Sequence, residues 1–511
     1  MRTYLFVGCH VFLAAMLLSS SARGEVSYTE ADDDDLTIIR MKVTPAAEPV
    51  PALKYRLLTR DIDLKPGNAA PFYYRALLEL PRGMQSIRKK YDEEEQLGRW
   101  YATGAEAAPI DELPLDKVRD ASRFADSLVE NSLIEATSRR DCDWQLNIDE
   151  IRGPDVIAFL LPEFQESREL TRMLMLRTRL AIAEGRFDDA ITTMRINYRL
   201  ARDVARLPFI VCGLIGLAEA SMSNGALIDL IAQPASPNTY WALSELPQPL
   251  VDMRQAFRYE MDFGPRMFPF IHHSETTDRS PQEWNRLFTQ SIRDLSSFGD
   301  GSIPAQTDLG AGLSATAFAL VGYSHAKARL IEEGFDPDRV NAMAVGQVMA
   351  IYTERNYLKF ANDFEKLWYV PFWEMRVRYR AIEGRLRNAK PFDGGGDRDV
   401  LPIVSLLLPA IQATRTAQVR LERDISALRV IEALRMYAAS HAGGLPKSLD
   451  EITEVPVPLN PATGKSFVYR LDDRTAVLEL PSSDGIPGYN RRYEIQIVDP
   501  DLSADGADVR R

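Results

Sequence analysis

The side chains that most often carry chemistry are sparse in this sequence. Beyond the first 24 residues, histidine occurs only at His272, His273, His325 and His441. His272-His273 beside Glu275 is the one cluster with metal-ligand composition, and no His-Glu-x-x-His or His-x-His spacing is present. Neighbouring residues of a regular element point in different directions, so a zinc ion there would need ligands from elsewhere, and no metal is assigned. Carboxylates pair at Glu166 with Glu169 and at Glu332-Glu333. Two acids across a cleft can divide the acid and base work of a hydrolase, but the same residues on a helix face are ordinarily solvated. Asp472, Asp473 and Asp484, together with the run Asp32–Asp35, are the acids a calcium ion would call on. A hard cation needs its oxygens held in a fixed cage, so the run reads as a solvated stretch and no calcium ligand is assigned.

Nucleophiles are no easier to place. Cys142 and Cys212 lie outside the N-terminal region, and an oxidising compartment would permit a bond between them. Cys212, however, sits in the apolar run Phe209–Leu217 and reads as a small buried hydrophobe. The sequence has no Gly-x-Ser-x-Gly elbow and no lysine-bearing phosphate loop. Gly310-Ala311-Gly312-Leu313-Ser314-Ala315 imitates a dinucleotide loop but follows no strand, so it reads as a helix entry. A Ser-His-Asp triad can be assembled from distant residues, and nothing here points to one. No catalytic residue and no cofactor is assigned, and a binding or structural role is expected ahead of an enzymatic one.

The N-terminus carries an export pattern. Arg2 precedes the apolar run Tyr4–Leu18, and Ser19–Gly24 is rich in small residues. This predicts a secretory signal peptide cleaved after Gly24, and hence an exported protein, periplasmic or extracellular. Cys9 lies inside the apolar run, which argues against a lipoprotein site. No later stretch has membrane-spanning length by this reading. The 511-residue chain has a formal net charge of -12, and losing Arg2 and Arg23 with a leader would make it more acidic. That balance argues against a nucleic-acid partner, since such affinity rests on neutralising phosphates. The cluster Arg376, Arg378, Arg380 and Arg385 is short and reads as a solvated helix face.

Length predicts two to four domains. Residues 25–35 read as a flexible acidic lead-in, followed by strands at Leu36–Val43 and Leu53–Leu58. From about Asn68 to Asn388 the pattern is helical. Met173, Leu176, Leu180 and Ala183 share one helix face, and Ala190, Met194, Tyr198, Ala201 and Ala205 share the next. Leu207–Ala220 is almost wholly apolar and reads as a buried central helix, with Gly213 and Gly216 allowing close contact. Trp241 reads as a core anchor. Asp336-Pro337 should start a helix that Pro371 interrupts. Pro391–Asp399, containing Gly394-Gly395-Gly396, reads as a linker, and residues 401–498 as a smaller α+β module. In it a long helix carries Ala417, Leu421, Ile425, Leu428, Ile431, Leu434 and Ala438 on one face. Arg415, Arg420, Glu422, Arg423, Arg429 and Glu432 fall mostly on its wet side. The helix should stop at Gly443-Gly444, before strands at Phe467–Leu471, Ala476–Leu480 and Tyr493–Val498. The residues from Asp499 are expected to be disordered.

Two resemblances follow from these residues. The turn Gly185-Arg186-Phe187-Asp188-Asp189-Ala190 resembles that of a tetratricopeptide-type hairpin, in one copy, so no regular array is implied. Leu406–Arg415, Ala433–Tyr437 with Gly444–Leu449, and Pro461–Tyr469 resemble the helix, loop and turn-to-strand segments of bacterial prepilins and pseudopilins. Here only Leu401–Leu408 precedes the helix, far short of the about 20 apolar residues of a membrane anchor. The expected fold is mainly α: a large helical-hairpin domain followed by a small α+β prepilin-like module. The expected role is a scaffold for a protein partner in the cell envelope. The alternatives are an accessory component of a secretion or pilus-like system, and an extracytoplasmic hydrolase with an unrecognised site.

Overall fold

The computed structural model describes residues 25–31, 36–91, 96–146, 162–298, 307–388, 403–482 and 490–498. The proposed leader, the run Asp32–Asp35, the loop Asp300–Pro304, the glycine-rich linker, Asp484 and the C-terminal residues from Asp499 lie outside them.

Alternating sequence at both ends of the chain builds one sheet. Strands β1 (Glu25–Ala31), β2 (Leu36–Val43), β5 (Val468–Asp472), β6 (Thr475–Leu480) and β7 (Asn490–Ile497) lie in the order β1-β2-β7-β6-β5. β2 and β7 run parallel, with Leu36 opposite Asn490 and Val43 opposite Ile497, and the other neighbours are antiparallel. Ile39, Met41, Val43, Ala476, Leu478, Leu480, Tyr493 and Ile495 are buried on one face. The other face is wet and ionic, with Arg40–Glu494 at 2.9 Å and Lys42–Glu25 at 2.6 Å. Residues 25–31 are therefore no flexible lead-in: their alternation, with Val26 and Tyr28 opposite Met41 and Ile39, makes them the edge of this sheet. The expected strand at Leu53–Leu58 does not form. Lys54 N donates to Pro51 O in a turn, and a strand β3 (Lys65–Asn68) pairs instead with β4 (Arg139–Asp141).

The helical body consists of α1 (Ala70–Tyr91), α2 (Leu115–Leu128), α3 (Pro162–Ala183), α4 (Phe187–Val204), α5 (Ile210–Ala232), α6 (Pro281–Phe298), α7 (Asp308–Glu332), α8 (Val345–Glu365) and α9 (Phe372–Asn388), with shorter turns between. Gly185 takes a φ of 70° at the turn between α3 and α4, a conformation that costs glycine little. α5 is the central helix expected from Leu207–Ala220. A Cβ on Gly216 would stand 2.3 Å from Ala201 O, so α4 and α5 can approach this closely only through glycine. Among the described helices α5 alone is long and apolar enough to cross a membrane, but 67% of its apolar window is buried inside the protein. Asp336 accepts from Arg339 N at 2.8 Å and Pro337 opens a helix, as the sequence predicts, but that helix ends at Ala342; the long helix is the separate α8, and Pro371 separates it from α9. Trp241 is only half-buried, with Nε1 donating to Glu48, and its neighbour Tyr240 is the true core residue.

The long helix α10 (Ile403–Ser440) joins the two parts. It ends before Gly443, whose N donates back to Ala438 O at 2.9 Å with φ 79°. α10 runs between the sheet and α5, and no residue from Thr414 to Ala438 is exposed. The expected wet side is therefore absent: Arg423 and Glu432 are fully buried, because the helix has apolar neighbours on two faces.

Candidate functional site

The residues flagged by sequence are brought into ordinary ion pairs. Glu275 and Glu333 do converge, but on Arg355, at 3.0 and 2.9 Å. Glu354 holds the His273 and Ser274 amides at 2.9 and 2.8 Å, and the rings of His272 and His273 meet edge to face at 4.2 Å. Glu332 pairs with Arg329 at 2.9 Å. Glu166 and Glu169 line a recess of about 720 Å³ with Arg88 and Lys89, where Glu169 already engages Arg88 and Arg172. Asp473 turns the β5–β6 hairpin with a φ of 52°, and no group of metal ligands forms among the described residues. Cys142 and Cys212 are free thiols. Burial raises both, Cys212 to about 12, which leaves neither poised as a nucleophile. The Gly310–Ala315 segment lies in the first turns of α7, capped by Thr307 Oγ1 on Gly310 N.

The site that stands out involves none of these residues. A cleft of about 680 Å³ lies beside β1, walled on the far side by residues 104–113 and floored by α3 and α5. Glu25, Val26, Ser27 and Tyr28 all line it. Val26 and Tyr28 are on the inner face of the sheet, whereas Glu25 and Ser27 oppose Lys42 and Arg40 on the outer one. Consecutive strand residues point to opposite faces, so only a cavity along the strand's edge can touch all four. β1 bonds to β2 on one side, and among the described residues no backbone group of β1 bonds to anything else.

Arg179 makes the opposite wall rigid. Buried at the end of α3, it donates to Arg99 O at 2.9 Å, to Trp100 O at 2.8 Å, to Ala108 O, and to Asp229 Oδ2 at 3.2 Å. One guanidinium thus pins both ends of the loop 101–107. Gly225 of α5 lets Thr103 of that loop sit close, since a Cβ there would stand 2.6 Å from it. The floor is electrostatically uneven. Burial raises the Asp229 carboxyl, and Arg179 only partly opposes that. Burial, helped by Asp229 and Tyr493, holds the Tyr28 phenol well above its ordinary range. The Tyr28 hydroxyl is buried and has no hydrogen-bond partner among the described residues. Arg99 lines the cleft with an exposed guanidinium that pairs with no described residue. Among the described residues, the cleft therefore presents a row of unused backbone groups, a buried hydroxyl without a partner and an unpaired cation. Among the described residues that line it, no nucleophile has an adjacent base.

Sequence reasoning missed these residues, although two signals were present. Asp229 is the one charge in the apolar run Ala226–Ala232, and Arg179 stands among Leu176, Leu180 and Ala181. A charge inside an apolar helix face implies a buried partner. No protein-family model, curated protein or solved structure matches the chain.

Proposed function

We propose that this protein is a binding scaffold that captures an extended polypeptide segment by strand addition to β1. The observation that carries this reading is the cleft along an unpaired strand edge, facing a loop already fixed by Arg179. Main-chain hydrogen bonds to a sheet edge supply affinity, and flanking pockets supply selectivity. Arg99 suits an acidic group on the incoming segment, and the Tyr28 hydroxyl can bond to its main chain. An open strand edge is otherwise an aggregation hazard, and recessing it in a cleft restricts what can reach it.

If residues 1–24 act as the export signal their pattern predicts, the partner would lie in the cell envelope or outside the cell. Cleavage after Gly24 would make Glu25, the first residue of β1, the mature N-terminus. A 38-residue α10 followed by antiparallel strands supports the prepilin-like resemblance. That resemblance favours an accessory role in a secretion or pilus-like system, whose subunits would supply the extended segment.

The test is a screen of an extended-peptide library against the full chain, read by fluorescence anisotropy. Selected peptides should lose binding on Ala105→Trp, which fills the cleft from its exposed wall, and weaken on Arg99→Glu. Selected peptides that bind both variants as they bind the parent would refute the reading. Deleting residues 401–498 is a poor control, because it removes β7 from β2 and α10 from α5.

A further inference from the structure

We propose that α9, with the turn at residues 460–465 beside it, is a contact patch that lays the protein on an anionic phospholipid surface. Phe372, Met375, Tyr379 and Ile382 are buried and form the inner side of the helix. Its outer side presents Trp373 and Val377, which are 40% and 73% exposed. At 100° per residue Val377 lies about 40° to one side of Trp373, and Arg380 and Arg376 lie about 20° and about 60° to the other. Arg378 stands farther round, and both it and Arg380 are exposed. Among the described residues, none of Arg376, Arg378 and Arg380 has a hydrogen-bond or ion-pair partner. The helix carries five arginines and two glutamates in a chain whose net charge is -12, so this patch runs against the charge of the whole. Glu374, the exposed acid of these turns, lies about 100° from Trp373, on the side away from Arg376 and Arg380.

The fold fixes this tryptophan at the surface. Its ring lies against Gly464, where a Cβ would stand 2.6 Å from Cε2. Gly464 has a φ of 68° and closes a turn in which its N donates to Asn460 O and Asn460 N donates to Lys465 O, each at 2.8 Å. The same turn sets the exposed Lys465 next to that glycine, and its ammonium has no ion-pair partner among the described residues. The make-up of the patch selects its occupant. Tryptophan and aliphatic side chains enter the headgroup layer of a bilayer, while arginine and lysine bury their stems there and keep their charges at the phosphates. Charge alone would suit an acidic polypeptide. Here, however, the apolar pair sits among the cations on the convex side of one helix, and an anionic bilayer offers phosphate and hydrocarbon to both across one plane.

Co-sedimentation of the full chain with vesicles tests this. The parent should bind vesicles of equal phosphatidylcholine and phosphatidylglycerol at least about tenfold more tightly than phosphatidylcholine alone in ~0.1 M salt, and the difference should vanish in ~1 M salt, where screening acts within about 3 Å. The variant Arg376→Ser/Arg380→Ser should weaken binding about 25-fold, roughly fivefold for each cation removed. Val377→Glu should also abolish the preference, and both variants should keep the circular-dichroism melt of the parent. Arg123→Ser, which removes an arginine with a side chain 77% exposed on α2, should bind as the parent does. No binding, equal affinity for the two vesicles, binding retained by the arginine and valine variants, or an equal loss in Arg123→Ser overturns the proposal. So does a polyglutamate peptide that binds the parent when neither vesicle does, which would assign the patch to an acidic protein partner.

Discussion

Two buried arginines in this molecule hold loops in place, and their surroundings differ in one respect. Arg435 of α10 donates to Thr44 O, Ser236 O and Glu432 Oε2, each at 2.9 Å. Glu432 takes the Thr239 amide at 2.8 Å on its other oxygen, and Asn238 bonds to Glu432 O at 2.9 Å. This cluster ties the exit of β2, the loop after α5 and α10 together, and among the described residues the Thr44 hydroxyl and Arg429 Nε nearby lack a partner. Arg179 makes a similar set of bonds. Beside it, however, lie a strand edge, the Tyr28 hydroxyl and Arg99 that, among the described residues, have no hydrogen-bond or ion-pair partner on the cleft side. A fully satisfied buried network holds a fold together, whereas unused polar capacity beside a rigid wall is what a ligand can use.

The contrast makes the two regions fail differently. Arg435→Met strands the Glu432 carboxylate in the core and should cost ~3–5 kcal/mol in urea unfolding. Adding Glu432→Gln should return part of that loss, and no recovery would mean that the pair is not coupled. The next effect tests a third buried network, between α3, α4 and α5. Ser167 donates to Glu219 Oε1 at 2.6 Å while Oε2 has no partner, and burial raises that carboxyl to about 8. The folded state thus keeps a proton that the unfolded chain releases above its ordinary carboxylate range. Stability should fall as pH rises from about 4.5 to 8, by at most ~1.4 kcal/mol per unit. Buried Asp229, Glu260 and Glu422 shift in the same direction, so Glu219→Gln should flatten the melting-temperature profile only in part. An unchanged profile would remove Glu219 from the account. The smallest effects belong to the cleft. Tyr28→Phe removes an unpartnered hydroxyl and should leave stability unchanged or raise it by up to ~1 kcal/mol, while weakening a selected peptide about fivefold. A large loss of stability would show that the hydroxyl serves the fold.

The sequence conveyed most of the helices and the C-terminal strands because their apolar periods are local. It conveyed the cap at Asp336 and the stop at Gly443 for the same reason. It did not convey that β2 pairs with β7, which lies over 450 residues away, since register between distant strands leaves no local trace. The misreading of Arg423 and Glu432 has the same origin. A helix sandwiched between a sheet and another helix buries charges that its own period assigns to water. The site was illegible for a further reason. It is made of backbone edge and of residues from four separate segments, and its side chains are unremarkable until they meet.

Hydrogen–deuterium exchange of the full chain with and without a selected peptide tests the central claim most directly. Strand addition predicts slowed exchange across Glu25–Ala31, with slower exchange also in residues 104–113 and no change along α7. Tight binding that leaves exchange in Glu25–Ala31 unchanged would contradict it.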